Sequence, residues 1–504
     1  MDETSDYIVV GGGTSGCVVA ARLSEDPGRR VLLIEAGPAQ SSPAMADPLA
    51  WPSLAGTAVD WAYQTVPQPG AGGEALPWPR GRVLGGSSGI NGMMHIRGDR
   101  RSYDAWEREG AVGWNYAALL PFFKRSEAAT GDPAYRGTHG PMRVGSVPER
   151  EELWEDCFQA AVEAGHRPNE DSNGADAEGV SWNDVNVVDG SRQSAADGYL
   201  TPDVRARPNL TIMTEARVLR LRVESGACRG VEYLRGGLAG TVYAHREVIL
   251  AAGTVDTPQL LMLSGIGPAG HLRERGIAVV ADLPGVGRNL QDHPKSQVAY
   301  SATRDVRGPY ARKPHVLLRT DPRADPDIQI LFIEFAVHPR WQLGRENGFS
   351  VMFSLMNPDS RGRIELASAD PGAPPLIDPG YLTDPRDVAR MTAGLRAVRE
   401  IGAADALSAL RKDELFPGLQ VTGDAGLQDY IRHTITTYFH PVGTCRIGTD
   451  GLSVVNPRLE VHGLRQLRVA DASVMPSLPS GNTNAPTLAV AERAAAIITG
   501  NEGP

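Results

Sequence analysis

Two short stretches hold residue types suited to chemistry. Residues 436–448, TTYFHPVGTCRIG, place His440 between an aromatic pair and a proline, and a neutral imidazole can take up a proton near physiological pH. The residue before a proline is pushed out of the α region, so His440 is expected at the extended end of a segment and not inside a helix. By type alone, a histidine is more often a satisfied core or surface residue than a base, so His440 needs support from elsewhere in the chain. The second stretch is GGGTSG, in which Gly11, Gly13 and Gly16 occupy the three positions of G-x-G-x-x-G. The first glycine permits a tight turn, the second lets backbone approach a pyrophosphate, and the third lets a helix pack on a strand.

The elements around that turn are the ones phosphate binding needs. Tyr7 to Val10 is a short apolar run that reads as a buried parallel strand, CVVAARLSE has helical apolar spacing, and VLLIE reads as the next strand, ending in Glu35. The helix N-terminus brings partial positive charge to the phosphates. Glu35, about 20 residues beyond the glycines, is placed to accept hydrogen bonds from a ribose. The acid favours an unphosphorylated adenosine ribose over that of NADP. Spacing alone does not choose between FAD and NAD.

Three further stretches each read, taken singly, as a loop or a buried helix. Residues 81–98 are GRVLGGSSGINGMMHIRG, residues 253–267 are GTVDTPQLLMLSGIG, and residues 282–294 are DLPGVGRNLQDHP. Consecutive Gly and Ser let backbone amides lie close against a planar or phosphorylated ligand. In this order, together with HPVGT and the C-terminal VADASVMPSLPSGNTNAP, they resemble the glucose-methanol-choline (GMC) family of FAD-dependent oxidoreductases, of the choline dehydrogenase and alcohol oxidase kind. The first family signature is matched from Gly81 through Asn91 and the second from Gly253 through Gly267. The resemblance covers nearly the whole chain.

That resemblance implies an α/β (α+β overall) fold: a Rossmann-like FAD-binding domain interleaved with a substrate domain built on a sheet backed by helices. The expected division assigns residues 1–150, 206–294 and 465–504 to the FAD-binding domain, and residues 151–205 and 295–464 to the substrate domain. It also implies that FAD is held by Gly11, Gly13, Thr14, Ser15, Gly16 and Glu35 at the first turn and by Arg82, Gly85, Gly86, Ser87, Asn91 and Gly92 in the first signature. Val218 would meet the adenine through its backbone, and Asp471, Ala472, Asn482 and Thr483 would complete the site from the C-terminal stretch. Members that attach FAD covalently use a histidine just before the signature asparagine. Ile90 stands there in this chain, so noncovalent FAD is expected. His95 stands where many relatives have an aromatic residue, near where the family places the flavin, and is expected to alter local packing or tune the site. The segment after Pro294 is shorter than in many relatives, which points to a more open or differently capped substrate cavity.

The resemblance further implies the reaction. An alcohol is oxidised to an aldehyde or ketone, with hydride passing to flavin N5, His440 as general base and Asn482 positioning the substrate oxygen. General-base help is typically worth ~10²–10⁴-fold, and an asparagine amide, which is no base, aims the substrate. Asn484 is expected as N-cap, with Pro486 in the first turn, of a helix over TLAVAERAAAIITG whose N-terminus, as in the family, favours negative charge on the flavin. An alternative on the same fold is a hydroxynitrile lyase, whose flavin is not reduced in turnover; there a second histidine commonly replaces the asparagine, so Asn482 favours redox chemistry. The alcohol stays open, as does the electron acceptor, O₂ or a quinone-type carrier. Phe439 resembles the aromatic residue found beside the base in aryl-alcohol oxidases without deciding between them. Glu334 in DIQILFIEF is a candidate carboxylate for a choline-like cation by proximity in sequence, and reads equally as a residue on the solvent face of that strand.

Bulk properties narrow the remaining classes. A chain of 504 residues is long for one simple core and is expected to hold more than one domain. Its net charge of −10 argues against nucleic acid or an anionic membrane as the main partner. Cys17, Cys157, Cys228 and Cys445 show neither metal-ligand nor disulfide spacing, which fits a reducing compartment without a bound metal. MDETSDYIVV lacks the pattern of a signal peptide, and no apolar run reaches membrane-spanning length, so a cytoplasmic protein without a membrane span is expected. Nothing in the sequence sets the oligomeric state.

Overall fold

Continuous apolar runs near the N-terminus and alternating ones in the middle of the chain become two different seven-stranded sheets. In the computed structural model the described residues are 3–39, 42–306, 308, 310–323, 325–344 and 346–501; Met1 and Asp2, the start of the acidic N-terminal stretch, lie outside them.

The first sheet runs in the order Leu210–Met213, Val31–Ile34, Glu3–Val10, Leu238–Leu250, Ala227–Arg235, Ala216–Glu224, and Leu467–Val469 also pairs with Leu238–Leu250. Its Glu3–Val10 strand is parallel to both neighbours, with Val10 opposite Ile34 on one side and Leu250 on the other. Ile8 and Val9 are fully buried, as a strand covered on both faces requires, and hence the run reads as uninterrupted hydrophobe. The carboxyl ends of four parallel strands, at Val10, Ile34, Leu250 and Val469, therefore come together at one edge. In open parallel sheets ligands bind there. The Thr14–Leu23 helix leaves that edge and packs on the C-terminal Asn484–Thr499 helix. The two are joined by Glu492, fully buried, which meets Arg22 at 2.7 Å and Arg125 at 3.1 Å and accepts a hydrogen bond from the Tyr199 hydroxyl at 2.7 Å.

The second sheet is antiparallel in the order Arg411–Phe416, Pro294–Ala302, Gly348–Leu355, Ile328–Ile333, Pro314–Leu318, Gly179–Trp182. The Pro385–Ala403 helix backs it, capped by Asp384, whose carboxylate accepts from the Arg386 amide at 2.9 Å. Buried Val388, Met391, Leu395 and Val398 recur at helical spacing and share one apolar cluster with Ile328, Ile330, Val351 and Phe353. Period-two alternation turns the other side chains of the same strands, Leu331 and Met352, to the opposite face, where they cluster with Tyr438. That face, with Lys295 from the neighbouring strand, looks into the cavity described next. The short Thr436–Thr437 strand pairs with Pro294 and Lys295 and brings His440 to the same place. Among the described residues no helix is long and apolar enough to cross a membrane, and the four cysteines are buried and unpaired.

Candidate active site

A cavity of about 730 Å³ lies between the two sheets and takes its wall from both. At the end nearer the parallel strands, the chain leaves Val10 through Gly11 at φ +99°, where an added Cβ would sit 2.6 Å from the Ala251 carbonyl oxygen. Only glycine fits this turn. Gly13 is different: a Cβ there would point into the cavity, with Gly86 Cα the nearest protein atom at 3.8 Å. Thr14 and Ser15 follow in the wall as the first residues of the Thr14–Leu23 helix, and the Ser15 hydroxyl is buried without a protein partner. The C-terminal helix also begins in this wall, and Thr14 Oγ1 donates to Asn484 Oδ1 at 3.2 Å. Two helix N-termini thus face one space, each with unsatisfied amides and partial positive charge. Asn484 is therefore not the N-cap expected from sequence. Thr483, near-helical at φ −84° and ψ −6°, holds that position without a side-chain cap, while the Asn484 side chain is used between the helices.

Glu35 closes the adjacent corner. Its two carboxylate oxygens accept from the Gly12 amide at 2.8 Å and the Gly37 amide at 2.7 Å. Burial pushes its pKa up to about 7 against the pull of those amides. A ribose hydroxyl donated to either oxygen stabilises the charged form.

The first-signature loop supplies Gly86, Ser87, Asn91 and Gly92 to the wall. Its shape depends on Arg192, a residue with no motif around it: Nη1 donates to Asn91 Oδ1 at 2.8 Å and Nε to the Met45 carbonyl at 2.7 Å. Val218, Asp471, Ala472 and Thr483 also line the cavity. Asp471 accepts from the Gly253 amide at 2.8 Å and the Thr257 hydroxyl at 2.6 Å, so it fixes the start of the Gly253–Leu263 helix. Three residues named from the sequence stand behind the wall. Gly16 lies inside its helix against Gly11, the Gly85 amide donates to the Gly12 carbonyl at 2.7 Å, and the Arg82 guanidinium lies over the Trp61 ring at 5.2 Å.

At the other end of the cavity stand His440 and Asn482, both buried. The backbone at His440 is held on both sides. The His440 amide donates to Asp292 Oδ1 at 2.8 Å, and the carbonyl of Phe439, itself at φ +69°, accepts from Arg80 Nη2 at 2.7 Å. Asp292 is occupied further by the Thr437 hydroxyl at 2.6 Å and by the Tyr381 hydroxyl. The imidazole is then oriented by a second histidine. His293 Nε2 lies 2.9 Å from the Met356 carbonyl oxygen, an acceptor only, so Nε2 carries the proton. Burial pulls the His293 pKa down to about 3, leaving this ring neutral and its Nδ1 bare. His440 Nδ1, 3.0 Å away, must therefore donate to it. The free lone pair of His440 is thus on Nε2, where the Asn482 amide nitrogen approaches to 3.3 Å. Burial, with His293, Arg80 and Lys295 around it, holds His440 well below the ordinary histidine range.

His293 and Asp292 were legible only as part of the turn-rich DLPGVGRNLQDHP stretch, with no sign that they act through His440. Two residues whose roles the sequence left open lie outside the wall, and His95 takes the packing role. His95 is not in the cavity wall; it is fully buried with Nε2 at 3.2 Å from Glu127, which also pairs with Arg97 and Arg136, so it belongs to an internal ion cluster behind the flavin-type loop. Glu334 is not in the wall either and is bound to Lys313 at 2.5 Å, so it presents no free carboxylate to a cation.

Parallel-strand carboxyl ends, a glycine turn on a helix N-terminus and a ribose-type acid define a dinucleotide-binding protein, here with a polar pair at the far end of the cavity. Family models described as GMC oxidoreductase match residues 5–295 and 358–491. The chain is 41% identical to an alcohol dehydrogenase [acceptor] of Pseudomonas putida, over 98% of this chain and 95% of that protein. It is 40% identical to the mitochondrial choline dehydrogenase of Homo sapiens, over 99% of this chain and 90% of that protein. The solved pyridoxine 4-oxidase of Mesorbium loti superposes with a TM-score of 0.94 at 37% identity, covering 97% of this chain and 98% of that one. The chain belongs to the GMC oxidoreductase family. It is an FAD-dependent oxidoreductase acting on CH–OH donors.

The open space over Gly13 separates binding from folding. Gly13→Val should fold with unchanged circular dichroism yet purify nearly free of FAD; full flavin occupancy in that variant would contradict the assignment of this turn to the pyrophosphate.

Proposed function

We propose that the protein oxidises a small alcohol to an aldehyde or ketone with noncovalently held FAD, His440 acting as general base and Asn482 positioning the substrate oxygen. The observation that carries this reading is the setting of the His440 ring, with Nδ1 3.0 Å from His293 Nδ1 and Nε2 3.3 Å from the Asn482 amide nitrogen in the cavity wall, an arrangement that leaves Nε2 to act on a substrate. The residues present fit FAD. Gly13 leaves room for a pyrophosphate, the orphaned Ser15 hydroxyl and two helix N-termini offer donors, and Glu35 retains lone pairs for a ribose. The remaining residues named from the sequence, Gly11, Thr14, Gly86, Ser87, Asn91, Gly92, Val218, Asp471, Ala472 and Thr483, would surround the cofactor, with Gly16, Arg82 and Gly85 supporting them from behind. We assign the first sheet to the FAD-binding domain and the second to the substrate domain. The unpaired buried thiols support a cytoplasmic location.

FAD, when bound, supplies the acceptor for the hydride. The protein's part is to hold the alcohol and take its proton. The 3.3 Å contact between Asn482 Nδ2 and His440 Nε2 is long for a hydrogen bond, so a substrate hydroxyl on the cavity side, within reach of both nitrogens, can take its place. There it donates to Nε2 and accepts from Nδ2, and both partners are satisfied. Gln329 Nε2, 3.4 Å from Asn482 Oδ1, opposes rotation of the amide. As the hydroxyl proton moves to Nε2, the Nδ1–H bond to His293 keeps the ring in place.

Ile90 lines the cavity and offers no atom for a covalent link. Among the described wall residues there is no cysteine, and the one histidine is His440. The electron acceptor is O₂ or a quinone-type carrier; of the relatives, one is named for an unspecified acceptor and another as an oxidase.

Three outcomes are expected. In anaerobic stopped-flow absorbance, His440→Ala should keep its flavin while reduction by alcohol slows by roughly 10²–10⁴-fold; reduction at the wild-type rate would remove His440 from the role of base. On admitting air, rapid recolouring of the wild type identifies an oxidase and slow recolouring a dehydrogenase. Second, the depressed pKa of His440 keeps the base neutral as pH falls, so kcat/KM should stay level through about 6.5, the ordinary histidine value, and decline only at lower pH. A titration near that ordinary value would show that burial does not control the base. Third, acid precipitation should release all FAD into the supernatant; a yellow pellet would mean a covalent link.

A further inference from the structure

We infer that the alcohol oxidised here has an apolar body, hydrocarbon for the first few carbons beyond the carbinol, which a row of the second sheet holds beside the base. This rests on the alcohol-oxidising reading above and names the substrate class of that site.

The register of the second sheet orders the wall. Side chains on its cavity face form rows across the strands, and successive rows lie two residues, or about 7 Å, apart. The first row holds Gln329 opposite Ser354 and Ser354 opposite Lys295. It stands at the reacting end, because Gln329 Nε2 is 3.4 Å from Asn482 Oδ1 and the Lys295 ammonium is 4.5 Å from the centroid of the Phe439 ring, next to His440.

The second row puts Leu331 opposite Met352. Both line the cavity, and both cluster with the Tyr438 ring, whose centroid is 4.3 Å from that of the His440 imidazole. Met94, from the first-signature loop, packs on the same cluster and also lines the cavity. The polar members of this row, Ser181, His315 and Gln297, lie outside the wall. Beyond it the third row is mixed: Ile333 lines the cavity along with Asn183 and Lys313, which are joined by the Asn183 amide donating to the Lys313 carbonyl at 2.9 Å. An apolar stretch thus separates two polar ones, and it is the stretch adjoining the base.

A substrate whose hydroxyl is held at His440 and Asn482 therefore has its next atoms against Met94, Leu331, Met352 and Tyr438. Polar atoms placed there would lose water without finding a partner, whereas carbon gains by leaving water. Methionine suits this use, since its unbranched thioether adapts to the shape of a flexible chain.

The cations of the second sheet and its loops are engaged within the protein. Lys313 pairs with Glu334 and Arg312 with Glu155, Arg340 donates to the Ala71 carbonyl at 2.9 Å, and the Lys295 ammonium stands over the Phe439 ring. An anionic substrate would have to draw a cation away from such contacts. Among the described residues, this side of the cavity adds no carboxylate to the wall. A quaternary ammonium would meet Lys295 here with no opposing charge. Neutral alcohols escape both costs.

The test is a chain-length series on the holoenzyme, read as anaerobic flavin reduction. From ethanol through butanol to hexanol, kcat/KM should rise about 4-fold per added methylene, the gain expected when each is buried, while choline and glycolate should stay at or below ethanol. Met352→Gln, which places an amide in the second row, should lower the hexanol-to-ethanol ratio by roughly 10-fold. Calorimetry with butyramide and hexanamide, which have no carbinol to oxidise, should give dissociation constants about 15-fold apart, a readout independent of turnover. A flat series in the wild type, choline or glycolate matching hexanol, or equal or absent binding of the two amides would each overturn the inference without a folded variant being needed. Should alcohols bleach the flavin without regard to chain length, only the apolar row loses its role. Should none bleach it while hexanamide binds the tighter, the oxidation reading falls and the apolar site stands.

Discussion

A buried imidazole serves as a base at one nitrogen only if the proton is held on the other, and here that condition is met by a contact between two histidines. His293 Nδ1 and His440 Nδ1 lie 3.0 Å apart, and the Met356 carbonyl, 2.9 Å from His293 Nε2, decides which of them donates. The three residues come from distant parts of the chain. His293 precedes the Pro294–Ala302 strand, Met356 follows Gly348–Leu355, and His440 follows Thr436–Thr437. All three strands are neighbours in the second sheet, with Lys295 opposite Ser354 and Thr436. A one-residue slip in either pairing would turn the side chains to the other face and break the proton order. If His440 is the base, as proposed, the antiparallel sheet is part of the acid–base apparatus, and its packing on the Pro385–Ala403 helix supports the register.

The dinucleotide end obeys a different constraint, the convergence of backbone donors. Thr14 and Asn484 open two helices from opposite ends of the sequence, and their side chains meet at 3.2 Å. The buried Glu492 joins the same helices further along. A carboxylate with no solvent and with Arg22, Arg125 and Tyr199 around it resists separation strongly, because loss of any partner leaves charge uncompensated. This interlock explains why the chain has to return to its first sheet at Leu467–Val469 after building the second.

Much of this was legible in sequence because it depends on local rules. The strand before Gly11, the helix after Gly13 and the ribose-type Glu35 follow from residue type and spacing within one βαβ unit. What failed or stayed open depends on three-dimensional neighbours. His95 reads, through the family resemblance, as either a packing change or a tuning of the site, and only its neighbours Glu127, Arg97 and Arg136 decide for packing. Asn484 reads as a cap by type, but Thr14 claims its side chain. Arg192 and His293 give no local signal, since neither is defined by its own surroundings in the chain. Each matters through what it orients, Arg192 the Asn91 loop and His293 the base.

Similarity over nearly the full length to proteins named for choline, for an unspecified acceptor and for pyridoxine shows that this scaffold does not itself dictate the alcohol. On the proposed reading, the parts that bind cofactor and move the proton are backbone turns, helix ends and a pair of side chains, none of which selects a particular carbinol. Substrate choice then falls to the few cavity-facing residues of the second sheet, whose alternation leaves every other position free of the core. Lys295 is such a position: its neighbours Val298 and Tyr300 pack with the backing helix, while its own side chain is turned to the base. A charged group there can be exchanged without disturbing the fold's apolar layer, whereas the same exchange at Val298 would disrupt it.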